Sequence, residues 1–379
     1  MLALGERLAQ RGHRVTFETW ERWRGYVQAA GMEFVPAPEY PVFPTIERPL
    51  QPYEAVVRAT KPTRAALAAC APDVVVHDIL TLAPALAGEL EGVPVATLIP
   101  HLYPVSAPGF PPYAVGARQP RTIGGRAFWG LFDGPVKRGL QVGRDQLNET
   151  RRRLGLPALT RLHGGLSERL CLVATLPALE YPRDWPAHVH VVGPMMWEPP
   201  TVDTPLPPGD EPLVLVAPST AQDPDHALLR AAVAGLANRP VRVLATSNRR
   251  QLTKPLRLGP RSRLVDWVSY ARTMPRCQLV ICHAGHGTLV RALSCGTPVL
   301  AVPHSGDMGE NAARVDWAGA GRRLPWRLAS PRAISWAVQH LLDDLDRYRA
   351  TAVELATWCE SHHGPARAAE LIERLGRGN

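Results

Sequence analysis

Lysine is nearly absent from this chain. Of its 43 basic residues only Lys61, Lys137 and Lys254 are lysine, and the rest are arginine. A net charge of +9 invites a nucleic-acid partner. The arginines are scattered, however, and the run Arg151-Arg152-Arg153 lies in a helical stretch where a solvated face accounts for it. The abundance of Arg, Ala and Pro reads as GC-rich coding rather than a binding face. Nucleic acid is therefore set aside, and a phosphate-bearing small substrate is left to use some of the charge. Long apolar runs are missing too. None reaches the ~18 residues that span a bilayer, and the start shows no n-region, h-region and cleavage site. A cytoplasmic protein is the simplest expectation. Cysteine is sparse: Cys70, Cys171, Cys277, Cys282, Cys295 and Cys359 form no C-x-x-C pair and mostly sit in apolar runs, so buried free thiols are expected rather than zinc or disulfides. His362-His363 precedes Gly-Pro and reads as solvent-facing. The two Asp-x-Asp matches, Asp223/Asp225 and Asp344/Asp346, fall at a helix start and inside a helix, so no metal site and no cofactor is read.

What is present is strand–helix alternation over 379 residues, long enough for two domains. The opening "MLALGERLAQRGHRVTFETW" reads as a helix, a Gly12 stop and a strand from Val15. A helix near 21–30, a strand in "MEFVPAP", a Pro-rich loop over 36–52 and a helix to Cys70 follow. "DVVVHD" (73–78) and "VPVATLI" are near-continuous apolar runs, as buried parallel strands require. A helix around 80–91 separates them. Residues 100–125 read as a long loop rich in Pro, Gly and aromatics, and a single helix is expected over 126–154. The Pro-rich stretch 197–212 reads as a linker. Beyond it strands recur at "LVLVAPS", "VRVLATS", "RLVDWV", "LVICHA" and "PVLAVPH". The expectation is an α/β chain of two doubly wound parallel-sheet domains, 1–200 and 201–360, with a terminal helix over 361–379 packing back on the first.

The most informative local feature is "LVICHAGHGTLVRAL". A buried strand ends at Cys282, and His283, Gly285, Gly287 and Thr288 turn tightly into a helix. Glycines admit a ligand to the backbone, and the helix start offers free N–H groups with a partial positive charge. A tight βα connection is the plainer alternative. Trp267 ends the preceding strand, where an indole can stack on a base. Asp307 and Asn311 follow the next strand at a helix start, where Asp307 is either a hydroxyl-binding carboxylate or an N-cap. A base platform, a phosphate cradle and a carboxylate on consecutive strand ends spell a nucleotide-sugar site, at the edge where such sheets bind ligands.

At these residues the chain resembles the inverting family-one glycosyltransferases of GT-B fold, which include bacterial macrolide and other natural-product glycosyltransferases and plant UDP-sugar transferases. The resemblance covers nearly all of the chain. It implies that Trp267 packs on the base, that the Val268 backbone hydrogen-bonds it, and that His283 contacts the diphosphate in a turn of Gly285, Gly287 and Thr288. It further implies that Asp307 holds sugar hydroxyls and that Ser219 and Thr220 of "VAPST" reach the phosphates, although ordinary loop polarity also fits those two. His286, between the glycines, is either a phosphate contact or exposed. Two departures stand out. Met308 replaces the usual Gln beside the Asp, so one sugar contact is missing. Arg291 stands where the family often has a Glu that holds ribose hydroxyls, and Arg accepts no hydrogen bond, which leaves UDP and dTDP donors open. The implied activity is metal-independent transfer of a hexose to a hydroxyl of a hydrophobic small molecule. A nucleotide-sugar-binding or auxiliary homologue without transfer, and a GT-B-like epimerase, are the alternatives.

Inverting transfer needs a base. The family uses a His–Asp dyad, and its Asp matches Asp78 at the end of "DVVVHD". A helix N-cap is the alternative for that residue. The family His sits in a G-H-x-x-P turn before the first helix, and no residue here matches it. His13 lies at the far end of that helix, His77 should face away from Asp78, and His101 is the remaining candidate base. His101, Tyr103, Phe110 and Tyr113 are expected to line an acceptor pocket, unless their loop packs on itself. The first helix thus has no strand before it. The expectation is that the start as written is late, and that "RVTFET" and "DVVVHD" have unpaired inner edges.

Overall fold

The computed structural model describes residues 1–38, 54–201, 203–219, 223, 225–252 and 254–378. Most of the Pro-rich loop read at 36–52, and Thr220, lie outside them. The first half opens with α1 (Leu2–Gln10), β1 (Thr16–Thr19), α2 (Arg24–Ala29) and β2 (Glu33–Pro36). Gly12, at φ +90°, ends the first helix in a left-handed turn that a side chain would strain. Gly5 has a packing role instead: a Cβ there would lie 2.4 Å from the Met32 sulfur, so α1 sits close on the turn before β2. Next come α3 (Glu54–Cys70), β3 (Val75–Asp78), α4 (Leu82–Leu90) and β4 (Val95–Ile99). The helix expected over 126–154 is two, α5 (Ile123–Gly130) and α6 (Asp133–Arg153). The break falls at Gly130 and Gly134-Pro135, and the proline is tolerated because it lies in the first turn of α6. Two strands then appear that the sequence reading passed over, β5 (Leu170–Val173) and β6 (Val189–Val191).

All pairings in this half are parallel, but they form two sheets: β1–β2, and β3–β4–β5–β6. Among the described residues the other edges of β1 and β3 carry no strand.

The second half is one six-stranded sheet of β7 (Leu213–Ala217), β8 (Arg242–Thr246), β9 (Ser262–Val265), β10 (Leu279–Cys282), β11 (Val299–Ala301) and β12 (Gly321–Arg323), in the order β12-β11-β10-β7-β8-β9. Numbered within the half, that is the 3-2-1-4-5-6 order of doubly wound dinucleotide folds, with its switch point between β7 and β10. The central strands β7, β10 and β11 are wholly apolar because helices cover both faces. Around the sheet lie α7 (Ala227–Leu236), the short α8 (Tyr270–Thr273), α9 (His286–Ser294), α10 (Met308–Ala318), α11 (Pro331–Asp343), α12 (Leu345–Ser361) and α13 (Gly364–Gly376).

The two halves share a core. Leu102, Leu176 and Leu179 of the first half are buried in one cluster with Val290, Leu289, Met308 and Ala312 of the second. The last helix crosses back: Ala368 and Ala369 of α13 pack with Leu4 and Leu98, and Glu373 accepts hydrogen bonds from Arg11 at 2.6 and 2.8 Å. No described helix is long and apolar enough to cross a membrane.

Candidate active site

The glycine turn lies at the carboxyl edge of the second sheet, at its switch point. Buried β10 delivers His283, and Ala284 follows at φ +60°, an uncommon conformation for a residue with a side chain. Gly285 caps α9 without any side-chain bond. A Cβ added at Gly285 or Gly287 would meet nothing within 4 Å. Packing therefore does not explain these glycines, and among the described residues the first N–H groups of α9 have no hydrogen-bond acceptor. They form a ready anion site.

Asn311 fastens this turn to Asp307. Its side-chain amide donates to the Ala284 carbonyl at 2.9 Å and to Asp307 Oδ2 at 3.1 Å. Asn311 is 1% exposed, so it positions these groups and does not face a ligand itself. Asp307 occupies the N-cap position of α10 yet makes no side-chain cap bond. Its carboxylate is thus available, which removes the plain capping role. Met308 is buried in the shared core, which takes it out of the donor contacts.

His286 is a second correction. It is neither exposed nor set toward a phosphate. Its Nε2 donates to the Ala174 carbonyl of the first half at 3.2 Å, and its Nδ1 lies 3.4 Å from Asn311 Oδ1. The shared core buries the ring and pushes its pKa down to about 4. The side chain ties the halves together.

His283 is 1% exposed. The Ser219 N–H donates to its Nδ1 at 2.9 Å, so the proton sits on Nε2, which faces Asp223 Oδ2 at 3.3 Å. Burial lowers its pKa to about 4 despite that carboxylate. Asp223 also accepts from the Ala227 and Leu228 N–H groups at the start of α7. His283 meets a diphosphate only if Asp223 gives way. Of the other Asp-x-Asp residues, Asp344 stands at the N-cap position of α12 without a side-chain cap bond and pairs with Arg347 at 2.6 Å.

At the base end Trp267 is half-buried, stacked near Tyr270 with ring centroids 6.4 Å apart. Val268 is buried. Thr288, in the first turn of α9, hydrogen-bonds the Tyr270 side chain. Several residues here escaped the sequence reading. Glu198, from the linker, accepts from Ser269 Oγ and Tyr270 N–H at 3.0 Å each and lies 3.8 Å from Arg291. A carboxylate from elsewhere in the chain thus stands beside Arg291, bonded to the start of α8. Asn248, Arg249 and Arg250 follow β8. The signal for them was available: polar residues just past the carboxyl end of a buried strand, the rule that singled out Trp267.

The facing half supplies Asp78 at the end of β3. Its Oδ1 accepts from the Leu80 N–H at 2.9 Å, an Asx turn, while Thr81 caps α4, so Asp78 is not the helix cap. Its charge acts on the Met1 amino group at the start of α1. His77 points the other way, bonded to Thr97 Oγ1 at 2.8 Å. His101 lies across from the glycine turn. Its Nδ1 donates to the Leu102 carbonyl at 2.7 Å and lies 3.2 Å from the Tyr113 hydroxyl, and its Nε2 makes no hydrogen bond among the described residues. Burial and Asp307 raise the Tyr113 pKa. Phe110 stands edge-on to Tyr181 at 6.2 Å. Tyr103 is corrected: it is 5% exposed, packs against Trp185 and belongs to the core rather than to an open pocket. The 101–118 loop does not pack only on itself. It straps onto α10, where Arg118 pairs with Asp316, and onto β12, where Arg323 donates to the Gly116 carbonyl.

Comparison with known proteins agrees with this architecture. Residues 231–375 match the C-terminal domain model described as Erythromycin biosynthesis protein CIII-like. The 4'-demethylrebeccamycin synthase of Lentzea aerocolonigenes is 31% identical over 323 residues, covering 80% of this chain and 74% of that protein. The crystal structure of the glycotransferase of kitacinnamycin superposes with a TM-score of 0.78 at 22% identity, over 98% of this chain and 94% of that one. Glycosyltransferase VinC, solved in complex with dTDP, gives 0.71 at 18% identity, over 100% and 96%. A carboxyl-edge anion turn, an Asp307 whose carboxylate caps no helix and a half-exposed Trp267 on a doubly wound sheet, together with these relatives, place the chain in the family-one glycosyltransferases of GT-B fold, among those of natural-product type that use nucleotide-sugar donors.

Proposed function

We propose that the protein moves a hexose or deoxyhexose from UDP or dTDP to a hydroxyl of a hydrophobic small molecule, with inversion and without a metal. The observation that carries this reading is the open start of α9 beside an Asp307 carboxylate that caps nothing. In this reading residues 201–360 hold the donor, residues 1–200 hold the acceptor, and the helix over 361–379 ties them. Trp267 carries the base. The α9 N–H groups take the charge that grows on the leaving diphosphate, which is the role a cation plays elsewhere. Asp307, held by Asn311, binds the sugar hydroxyls and sets the anomeric carbon toward the first half. The acceptor lies against Phe110 and Tyr113, and its hydroxyl loses a proton as it attacks. Asp78 stands where the family's His–Asp dyad has its acid, a carboxylate that orients and stabilises a protonated histidine; among the described residues no histidine bonds that carboxylate. His101, whose Nδ1 bonds the Leu102 carbonyl beside Tyr113, keeps its Nε2 without a hydrogen bond among the described residues. Calorimetry with UDP and dTDP, followed by product analysis with hexose donors on a panel of phenols and macrolides, tests the proposal. Transfer that leaves the sugar with inverted anomeric configuration is expected. Tight nucleotide binding with no product in any combination would favour the auxiliary-protein reading instead.

A further inference from the structure

The Trp267 indole is covered. The Arg249 guanidinium carbon lies 4.5 Å from its ring centroid, a cation–π distance. Arg249 is exposed, and among the described residues no carboxylate pairs with it. The backbone beneath it is held firmly. Ser247 and Arg249 N–H groups donate to the Val265 and Asp266 carbonyls at 2.9 and 2.8 Å. The Asn248 amide donates to the Pro218 carbonyl, and the Tyr270 hydroxyl donates to Asn248 Oδ1 at 3.3 Å. Asn248 and Arg249 are both left-handed, at φ 53° and 62°, a pairing that persists only where surrounding bonds impose it. The next residue turns to the other end of the site. Arg250 Nη1 donates to the Asp223 carbonyl at 3.1 Å, and its charge acts on His283. Two consecutive arginines, their Cα atoms ~3.8 Å apart, thus reach from the base platform to the phosphate turn.

A fixed backbone here carries a loosely held cation. Its tie to the ring is weak at an exposed site, whereas a guanidinium on a phosphate makes bidentate, charge-assisted bonds. A nucleobase competes with Arg249 for the indole surface. A nucleoside alone displaces the guanidinium without giving it a partner; a nucleoside diphosphate supplies one. We propose that Arg249 is a gate on the donor platform, resting on Trp267 in the empty site and moving to the donor's diphosphate when the base takes the ring. This rests on the donor site proposed above.

Calorimetric titration of the full chain and of the R249A and R249Q variants with dTDP, UDP, thymidine and uridine tests the gate. Both variants are expected to bind the diphosphates at least ~10-fold more weakly and the nucleosides ~2–5-fold more tightly. Opposite signs for the two ligand classes are the signature. A uniform loss for all four ligands, or no change in any, would overturn the gate while leaving the donor site standing. A parent chain that binds neither diphosphate would overturn the donor-site reading and the gate with it. Both substitutions are at an exposed side chain, and unchanged melting temperatures confirm that the comparison is between folded proteins.

Discussion

Replacing Arg314 with methionine should cost the protein a large part of its stability. Arg314 is 4% exposed and sits at the junction of the two halves. Its guanidinium pairs with Glu310 at 2.8 Å within α10, lies 3.5 Å from Glu180 of the first half, and donates to the Leu179 carbonyl at 3.1 Å. It also covers the Tyr181 ring at 3.4 Å. The two carboxylates are themselves 2% and 3% exposed, so one cation serves two buried anions. Methionine has similar volume and no charge, so the cavity term is small and the electrostatic one dominates. Removing one partner of a buried ion pair typically costs ~3–5 kcal/mol, against a usual total of ~5–15 kcal/mol. Urea unfolding followed by tryptophan fluorescence should show the midpoint fall at pH 7 with this magnitude. The cause is identified by charge. Burial already holds the Glu180 carboxyl above its ordinary range. A raised carboxyl binds more protons in the folded state, so its penalty is present at neutral pH and relieved as pH falls toward its unfolded value. The Arg314→Met deficit should therefore shrink on acidification, and adding E180Q should recover much of it at pH 7. An Arg314→Met protein within ~1 kcal/mol of the parent at pH 7 would refute this account of a buried charge triad.

Asp307→Asn should leave UDP and dTDP affinity unchanged but lower kcat/KM for the nucleotide sugar ~10–100-fold, because only the sugar meets that carboxylate; equal loss of nucleotide affinity would count against the assignment. Gly287→Ala adds a Cβ that touches no protein atom, so melting should be unchanged or raised by the better helix former, while diphosphate affinity falls; a drop in melting temperature without a binding change would refute the ligand role of that space. His283 and His286 have folded pKa values of about 4, below the unfolded 6.5. The unfolded chain therefore takes up protons first, and stability should fall from pH 6.5 to 4 at up to ~1.4 kcal/mol per pH unit per group. His286→Asn should flatten that slope, and calorimetric melting across the window reads it.

The parts of this molecule that were readable in sequence are those in which local chemistry and position coincide. "LVICHAGHG" announces a buried strand, a turn and a helix start within a few residues, and Trp267 and Asp307 follow from the same strand-end logic. What the sequence does not show is set by contacts between residues far apart in the chain. Nothing near His286 shows that its ring bonds the Ala174 carbonyl across the interface. Nothing near Arg291 shows that Glu198, in a Pro-rich linker, will stand beside it. β5 and β6 were passed over although Leu170–Val173 is fully buried, because the long irregular stretch before them broke the strand–helix rhythm. Met308 and Tyr103 were misplaced for a related reason: both adjoin the site in sequence, but their side chains turn into the core. Family-level chemistry here lies on a few strand ends, whereas the individual character of the site comes from side chains that cross between halves or arrive from the linker. Substitutions at Glu198, Arg249 and Arg314 are therefore the ones whose effects a motif alone would not anticipate.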